Sequence, residues 1–262
     1  MPIIQHLGTA YASGGGAAAD PVLGNLEVWC DPTLFTPNGS GVIATNTDHN
    51  FNASSNQTGT FRIMNADAQF DSSVAGNHAI EGVNPAETMC AMTYNQNNLG
   101  MTGLTNYSFQ GWVYVGNQSN GSWCFLLGKS GFWGSATAGI FINSDAVNWG
   151  FHTGPNGSNF IDIAPNGWHN IAGVRNLAES NSRRFFVDGV LAASDDLERS
   201  NNNANLSNNN PLSILCHGAN NTTAQYPVGR NWGFGHCLFY SDALSDAEVL
   251  YNYNQHKALY GL

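Results

Sequence analysis

Charge is what this 262-residue chain has least of. Lysine and arginine number 8 and aspartate and glutamate 18, so charged residues make up 10% of the sequence, against about 25% in an ordinary soluble domain. The net charge of −10 repels phosphate backbones and anionic lipid, which argues against nucleic acid and membrane as direct partners. The one basic pair, Arg183-Arg184, reads as a solvated strand start. Long hydrophobic runs are missing as well. No stretch approaches the roughly 20 apolar residues of a membrane span. The opening Met1-Pro2-Ile3-Ile4-Gln5-His6 lacks the basic region and apolar core of a secretory signal. Cys30, Cys90, Cys124, Cys216 and Cys237 are odd in number and irregularly spaced. That argues against a disulfide framework and for synthesis in a reducing cytoplasm.

Catalytic patterns are scarce too. Retaining glycoside cleavage needs two carboxyls about 5–5.5 Å apart, which on a strand means acids two or four positions apart. The chain has six glutamates, none on a convincing central strand with an acidic neighbour at that spacing. The densest acidic group, Asp195-Asp196-Leu197-Glu198, follows a hairpin and reads as a solvated turn. No serine sits in a Gly-x-Ser-x-Gly setting, and Gly14-Gly15-Gly16 has neither a preceding strand nor a following lysine to make a phosphate loop. His217 follows Cys216 and His236 precedes Cys237. On strands such neighbours point to opposite faces, so neither pair closes on one ion. No metal site and no catalytic residue is expected; two buried thiols with two rim histidines are.

Asparagine, serine, threonine and glycine carry the polarity instead. These residues favour turns and are poor in helix interiors, so the chain reads as all-β. Residues 1–20 are a Gly/Ala-rich arm. Ordering glycine is entropically costly, so something is expected to hold the arm: a neighbouring subunit first, its own domain as the alternative. Residues 21–262 then form one sandwich. Strands are expected over Gly24–Trp29, Tyr107–Val115, Cys124–Lys129, Pro211–Leu215 and Trp232–Tyr240, with a hairpin over Ala138–Phe151. Residues 37–72 read as loops and edge strands, and Ser200–Asn210 as a low-complexity surface loop. In Tyr107–Val115, Tyr107, Phe109, Val113 and Val115 share one face and Gln110, Trp112 and Tyr114 the other. Asn166–Ser194 reads as two strands and then a second hairpin at Asp188-Gly189, where a type I′ turn demands positive φ at both residues. Ser245-Asp246-Ala247-Glu248 is a capping box opening a short C-terminal helix. His256-Lys257 fall where its dipole favours positive charge.

The run Trp168-His169 to Val174, followed by Phe186-Val187-Asp188-Gly189-Val190-Leu191, resembles the laminin-G-like branch of the concanavalin A-like lectin/glucanase superfamily. Phe109–Val115, Leu126–Gly131 and Gly233–Tyr251 match that pattern in the same order, so the resemblance covers about residues 105–252; residues 30–104 match only loosely. It implies a two-sheet antiparallel jelly-roll sandwich used for binding rather than chemistry, with His169 structural. The ending Asn254-Gln255-His256-Lys257-Ala258-Leu259-Tyr260-Gly261-Leu262 looks like that of tailed-phage virion proteins carrying this domain. The resemblance therefore implies a non-enzymatic virion protein, such as a capsid decoration, fibre or spike subunit. Its arm would meet other virion proteins or further copies of itself, and its sandwich would adhere weakly to host glycans. A free carbohydrate-binding module without an assembly role is the alternative. Trp133, in the Gly131–Gly134 turn, is the candidate to stack on a sugar ring. Some laminin-G-like domains bind calcium; Asp145 and Asp162 are carboxylates of the right type, but no ligand spacing singles them out.

Overall fold

In a computed structural model of the chain, the structure describes residues 20–50, 52–53, 59–84, 87–93, 101, 103–116, 124–129, 138–142, 148–153, 156–163, 167–196, 211–220, 223–225 and 231–262. Its strands in chain order begin with β1 (Leu26–Cys30), β2 (Asp48–Asn50), β3 (Asn52–Ala53), β4 (Thr60–Met64), β5 (Ala68–Phe70), β6 (Ile80–Gly82) and β7 (Cys90–Thr93). The middle of the chain adds β8 (Tyr107–Val115), β9 (Cys124–Lys129), β10 (Ala138–Ile142), β11 (Asn148–Thr153), β12 (Asn156–Asp162) and β13 (Gly167–Arg175). Last come β14 (Arg183–Val187), β15 (Val190–Asp195), β16 (Leu212–Ile214), β17 (His217–Asn220), β18 (Thr223–Gln225) and β19 (Gly233–Tyr240), then the helix α1 (Asp246–His256). No helix among the described residues is long and apolar enough to cross a membrane.

The strands form two antiparallel sheets face to face, so the chain is an all-β jelly-roll sandwich with one short C-terminal helix. One sheet runs β15-β14-β13-β8-β19-β1-β3, with β6 and β5 continuing from the first half of β19. The other runs β12-β11-β10-β9-β16-β7-β4-β2, and β17 and β18 make a separate ribbon. Between the sheets Phe109 packs edge-on to Phe151 and Phe239, and Val28, Phe61, Ile63, Leu127 and Ile140 are fully buried around them.

The alternation expected in β8 holds, but both of its faces are buried. Gln110 and Trp112, at 0% and 1% exposure, face α1 and the C-terminal 3-10 turn Lys257–Tyr260. Trp112 stacks on Tyr260 with ring centroids 4.2 Å apart. The helix begins at the expected capping box: Ser245 accepts from the Glu248 amide and the Glu248 carboxylate accepts from the Ser245 amide. It is pinned by a connected set of amides. Asn252 Nδ2 donates to Gln110 Oε1 (2.9 Å) and to the Tyr240 hydroxyl (3.0 Å), while Gln110 Nε2 donates to Asn170 Oδ1 (2.8 Å) and Val249 O (3.0 Å). Asn252 Oδ1 accepts from the Val22 amide at 2.7 Å, and Tyr240 donates to Val22 O at 3.1 Å. The chain therefore enters the sandwich clamped beside its own C-terminal helix.

The turn after β14 is built as its sequence requires. Asp188 and Gly189 have φ of 51° and 76°, the two positive values of a type I′ turn. Three expectations are corrected. Arg183 and Arg184 are buried rather than solvated. Adjacent strand residues face opposite ways, so Arg183 turns to Asp195 (2.7 Å) while Arg184 reaches Asp246 and the Leu244 carbonyl at the helix start. The segment 37–72 contains β4, which lies inside a sheet between β7 and β2 rather than at an edge. His236 is 1% exposed, so it is no rim residue; Cys237 beside it is buried as expected. The arm as far as residue 19, the turn 143–147 and the run 200–210 lie outside the described residues.

Candidate functional site

A pocket of about 170 Å³ opens where β5, β6 and the entrance to β19 meet. Gln69 and Glu81 are cross-strand partners in β5 and β6, and Gln69 Nε2 donates to Glu81 Oε1 at 3.1 Å. β6 is held to β19 by pairing of Glu81 with Gly233 and of Ile80 with Phe234. The chain then turns, with the Val83 amide donating to Asp67 O (3.0 Å) and the Glu87 amide to Asn84 O (2.9 Å). This brings Asn84 and Glu87 to the pocket wall. Asn231, at φ 60°, and Trp232 close it from the other side. Trp232 is 4% exposed and stacks on Trp149, so with buried Met89 it supplies an apolar floor.

Two acidic and three carboxamide-bearing residues thus line the pocket beside Trp232 and Met89. Carboxamides both donate and accept, and carboxylates accept from several hydroxyls. A few convergent polar groups on an apolar base suit a small hydroxyl-rich ligand. Burial raises the pKa of the Glu81 carboxyl, and the Gln69 hydrogen bond partly opposes the shift. None of these residues was singled out from the sequence. Gln69, Glu81, Asn84 and Glu87 lie on three-residue strands and turns, too short to show a period, in the part of the chain where the resemblance is loosest. Their one local signal is the Glu81 to Glu87 spacing across Pro85.

A second constellation joins residues far apart in sequence. Asp31 caps the 3-10 turn Pro32–Leu34, its Oδ1 accepting from the Thr33 amide (2.9 Å) and hydroxyl (2.7 Å). His236 Nδ1 lies 3.6 Å from that oxygen. With His78, these residues place ligand-type atoms within 4.8 Å of one another, the one such group among the described residues. A metal does not fit it as it stands. Trp29 Nε1–H donates to His236 Nδ1 at 3.0 Å, and a neutral imidazole has only one acceptor nitrogen. The His236 proton therefore sits on Nε2, directed at His78 Nδ1 at 2.9 Å. No lone pair of His236 remains for an ion, and the three side chains form a hydrogen-bond relay Trp29→His236→His78. His256 does not project as a terminal cation: it is 1% exposed and stacks on His236, rings 4.4 Å apart.

The other expected residues fall as follows. Trp133 and Asp145 lie outside the described residues. Asp162 ends β12 in an exposed position and joins no metal-sized group among the described residues. His169 Nδ1 pairs with Asp188 Oδ2 at 3.0 Å, and Asp188 Oδ1 accepts from the Asn170 amide. The Trp-His and Asp-Gly elements are thus two halves of one contact. His217 opens β17, but its side chain is outside what is described.

No protein-family model matches the chain, and no curated protein sequence is significantly similar to it. Solved structures do resemble it. A Trypanosoma rangeli sialidase mutant displaying trans-sialidase activity aligns at TM-score 0.55 and 10% identity over 90% of this chain and 33% of its own. The binding domain of botulinum neurotoxin serotype G aligns at 0.55 and 14% over 87% and 50%. The binding domain of botulinum neurotoxin DC, solved with rat synaptotagmin II, aligns at 0.53 and 12% over 84% and 52%. The chain spans a third to a half of these structures, and at such identities the likeness is one of fold.

Proposed function

We propose that this chain is a non-enzymatic, lectin-like binding protein of the laminin-G-like, concanavalin A-like kind, serving as a virion structural subunit such as a capsid decoration, fibre or spike. The observation that carries the binding role is the pocket in which Gln69, Glu81, Asn84, Glu87 and Asn231 converge over Trp232. Its polar groups suit the hydroxyls of a host surface glycan. Binding domains of botulinum neurotoxins share the sandwich architecture, which supports the same reading. The Gly/Ala-rich arm at residues 1–20, the low charge and the phage-like ending support the assembly role. Val22 is clamped to α1 by Asn252 and Tyr240, so an arm docked elsewhere would be rooted firmly in the domain.

The test compares the full chain with residues 20–262. Both should hold the same fold and bind the same members of a glycan array, but only the full chain should self-associate or enter particles. Glu81→Gln combined with Asn84→Ala should weaken glycan binding at least tenfold. Normal incorporation of the truncated chain would sink the assembly role. An empty array would sink the glycan role, and turnover of a labelled glycan panel would replace both with an enzyme.

A further inference from the structure

We propose that the histidine relay is an acid-sensitive latch: protonation of His236 or His78 breaks the relay and frees the C-terminal segment, residues 246–262, from the outer face of the sheet. The case begins with geometry. A proton added to His236 Nδ1 would face the Trp29 N–H at 3.0 Å. A proton added to His78 Nδ1 would face the His236 N–H at 2.9 Å. Each nitrogen that could gain a proton on this path already accepts one, so every added proton forfeits a hydrogen bond and brings a charge to a desolvated place.

The relay is also what the C-terminal segment rests on. His256, in the last turn of α1, stacks on the His236 ring. The Tyr260 hydroxyl accepts from the His236 amide (3.2 Å) and donates to His78 O (2.9 Å). Tyr260 also stacks on Trp112. A relay forced open therefore loosens three contacts of one segment. Because Asn252 of the same helix holds the Val22 amide, the root of the N-terminal arm loosens with it.

The surrounding groups leave this sign in place. Just past β1, Asp31 is the acid facing the relay, 3.6 Å from His236 Nδ1 and already accepting two hydrogen bonds from Thr33. Cys30 and Cys237 lie beneath, and burial pushes both thiols up, so they stay neutral. Burial does the same to the Tyr260 phenol. Lys257 places its ammonium over the Tyr253 ring, 5.4 Å from its centroid. Burial, then the neighbouring His256 and His78, hold His236 well below the usual histidine range, and burial lowers His78 while Asp31 opposes.

A group whose folded pKa is depressed in this way binds its proton on opening, so the open form gains as pH falls below about 6.5, tenfold per unit for each proton. Two protons taken up between pH 6.5 and 5.0 multiply the opening equilibrium by at most about a thousandfold. Amide hydrogen exchange on the full chain reads this directly, as protection factors corrected for intrinsic rate. Protection in residues 246–262 should fall by two to three orders of magnitude between pH 7 and 5, while β8 and β13 keep theirs. His236→Gln keeps a carboxamide oxygen to accept from Trp29, and His78→Gln keeps an acceptor for His236 Nε2; each removes one of the two protons. Either change should make the pH response shallower, and one suffices if the other fails to fold. Unchanged protection at pH 5, an equal fall across the whole sandwich, or a response of full size in the variants would overturn the latch.

Discussion

Replacing Asn252 with alanine removes three hydrogen bonds at once and tests how the helix is joined to the sheet. The carboxamide accepts from the Val22 amide and donates to Gln110 and to Tyr240. Tyr240 keeps its bond to Val22 O, and Gln110 keeps its own donations. Two groups are stranded: the Gln110 carbonyl oxygen, fully buried, and the Val22 amide, which is part-buried and regains some water. A stranded buried group costs about 1–3 kcal/mol, so the expected loss is about 3 kcal/mol with the Val22 share discounted. For a chain of this size that lowers Tm by roughly 6–12 °C. Asn252→Asp keeps the acceptor for Val22 but sets a carboxylate oxygen against Gln110 Oε1, and should be at least as harmful. Thermal and urea unfolding followed by tryptophan fluorescence measure both. An alanine variant within 2 °C of the parent would show that the amide network does not hold the helix.

Gly189→Ala forces a Cβ onto a backbone at φ +76°, 3.0 Å from Leu250 and Tyr253 side-chain atoms. The left-handed conformation alone costs about 1–2 kcal/mol, so Tm should fall by several degrees, and proteolysis should show α1 loosening first. Lys129 is 1% exposed, and desolvation brings its ammonium down from 10.5 to about 8. Between those values the unfolded chain holds a proton that the native chain lacks, so this residue's contribution to stability rises with pH across the window. The span of 10.5 − 8 = 2.5 units corresponds to at most about 3 kcal/mol. Urea unfolding of the parent and Lys129→Met from pH 7.5 to 10.5 isolates it, because thiol and phenol contributions cancel in the difference. A pH-independent difference would contradict the assignment.

What the residues reveal unaided depends on length and repetition. β8, at nine residues with clean alternation, and the Asp188-Gly189 turn, with its two positive φ values, carry their structure in local pattern. So does the Ser245–Glu248 cap. The strands around the pocket do not: β5 and β6 have three residues each, and what makes them strands is β6 pairing with β19 more than 150 residues away, with β5 added at the edge of β6. The histidines mislead for a related reason. Alternation correctly separates His236 from Cys237, but the partners of His236 are Trp29, Asp31 and His78, which only the folded sheet brings near. Arg183 and Arg184 read as solvated because their partners, Asp195 and the start of α1, are supplied by the next strand and by the C-terminus.

The Val22 clamp has a mechanical consequence. Tension applied to the chain at residue 20 meets the bonds from Asn252 and Tyr240 before it reaches β1. Beyond them β1 lies antiparallel to β19 through four paired positions, with Leu26 opposite Tyr240. A tether attached at that end would load the helix clamp before it loads the sheet.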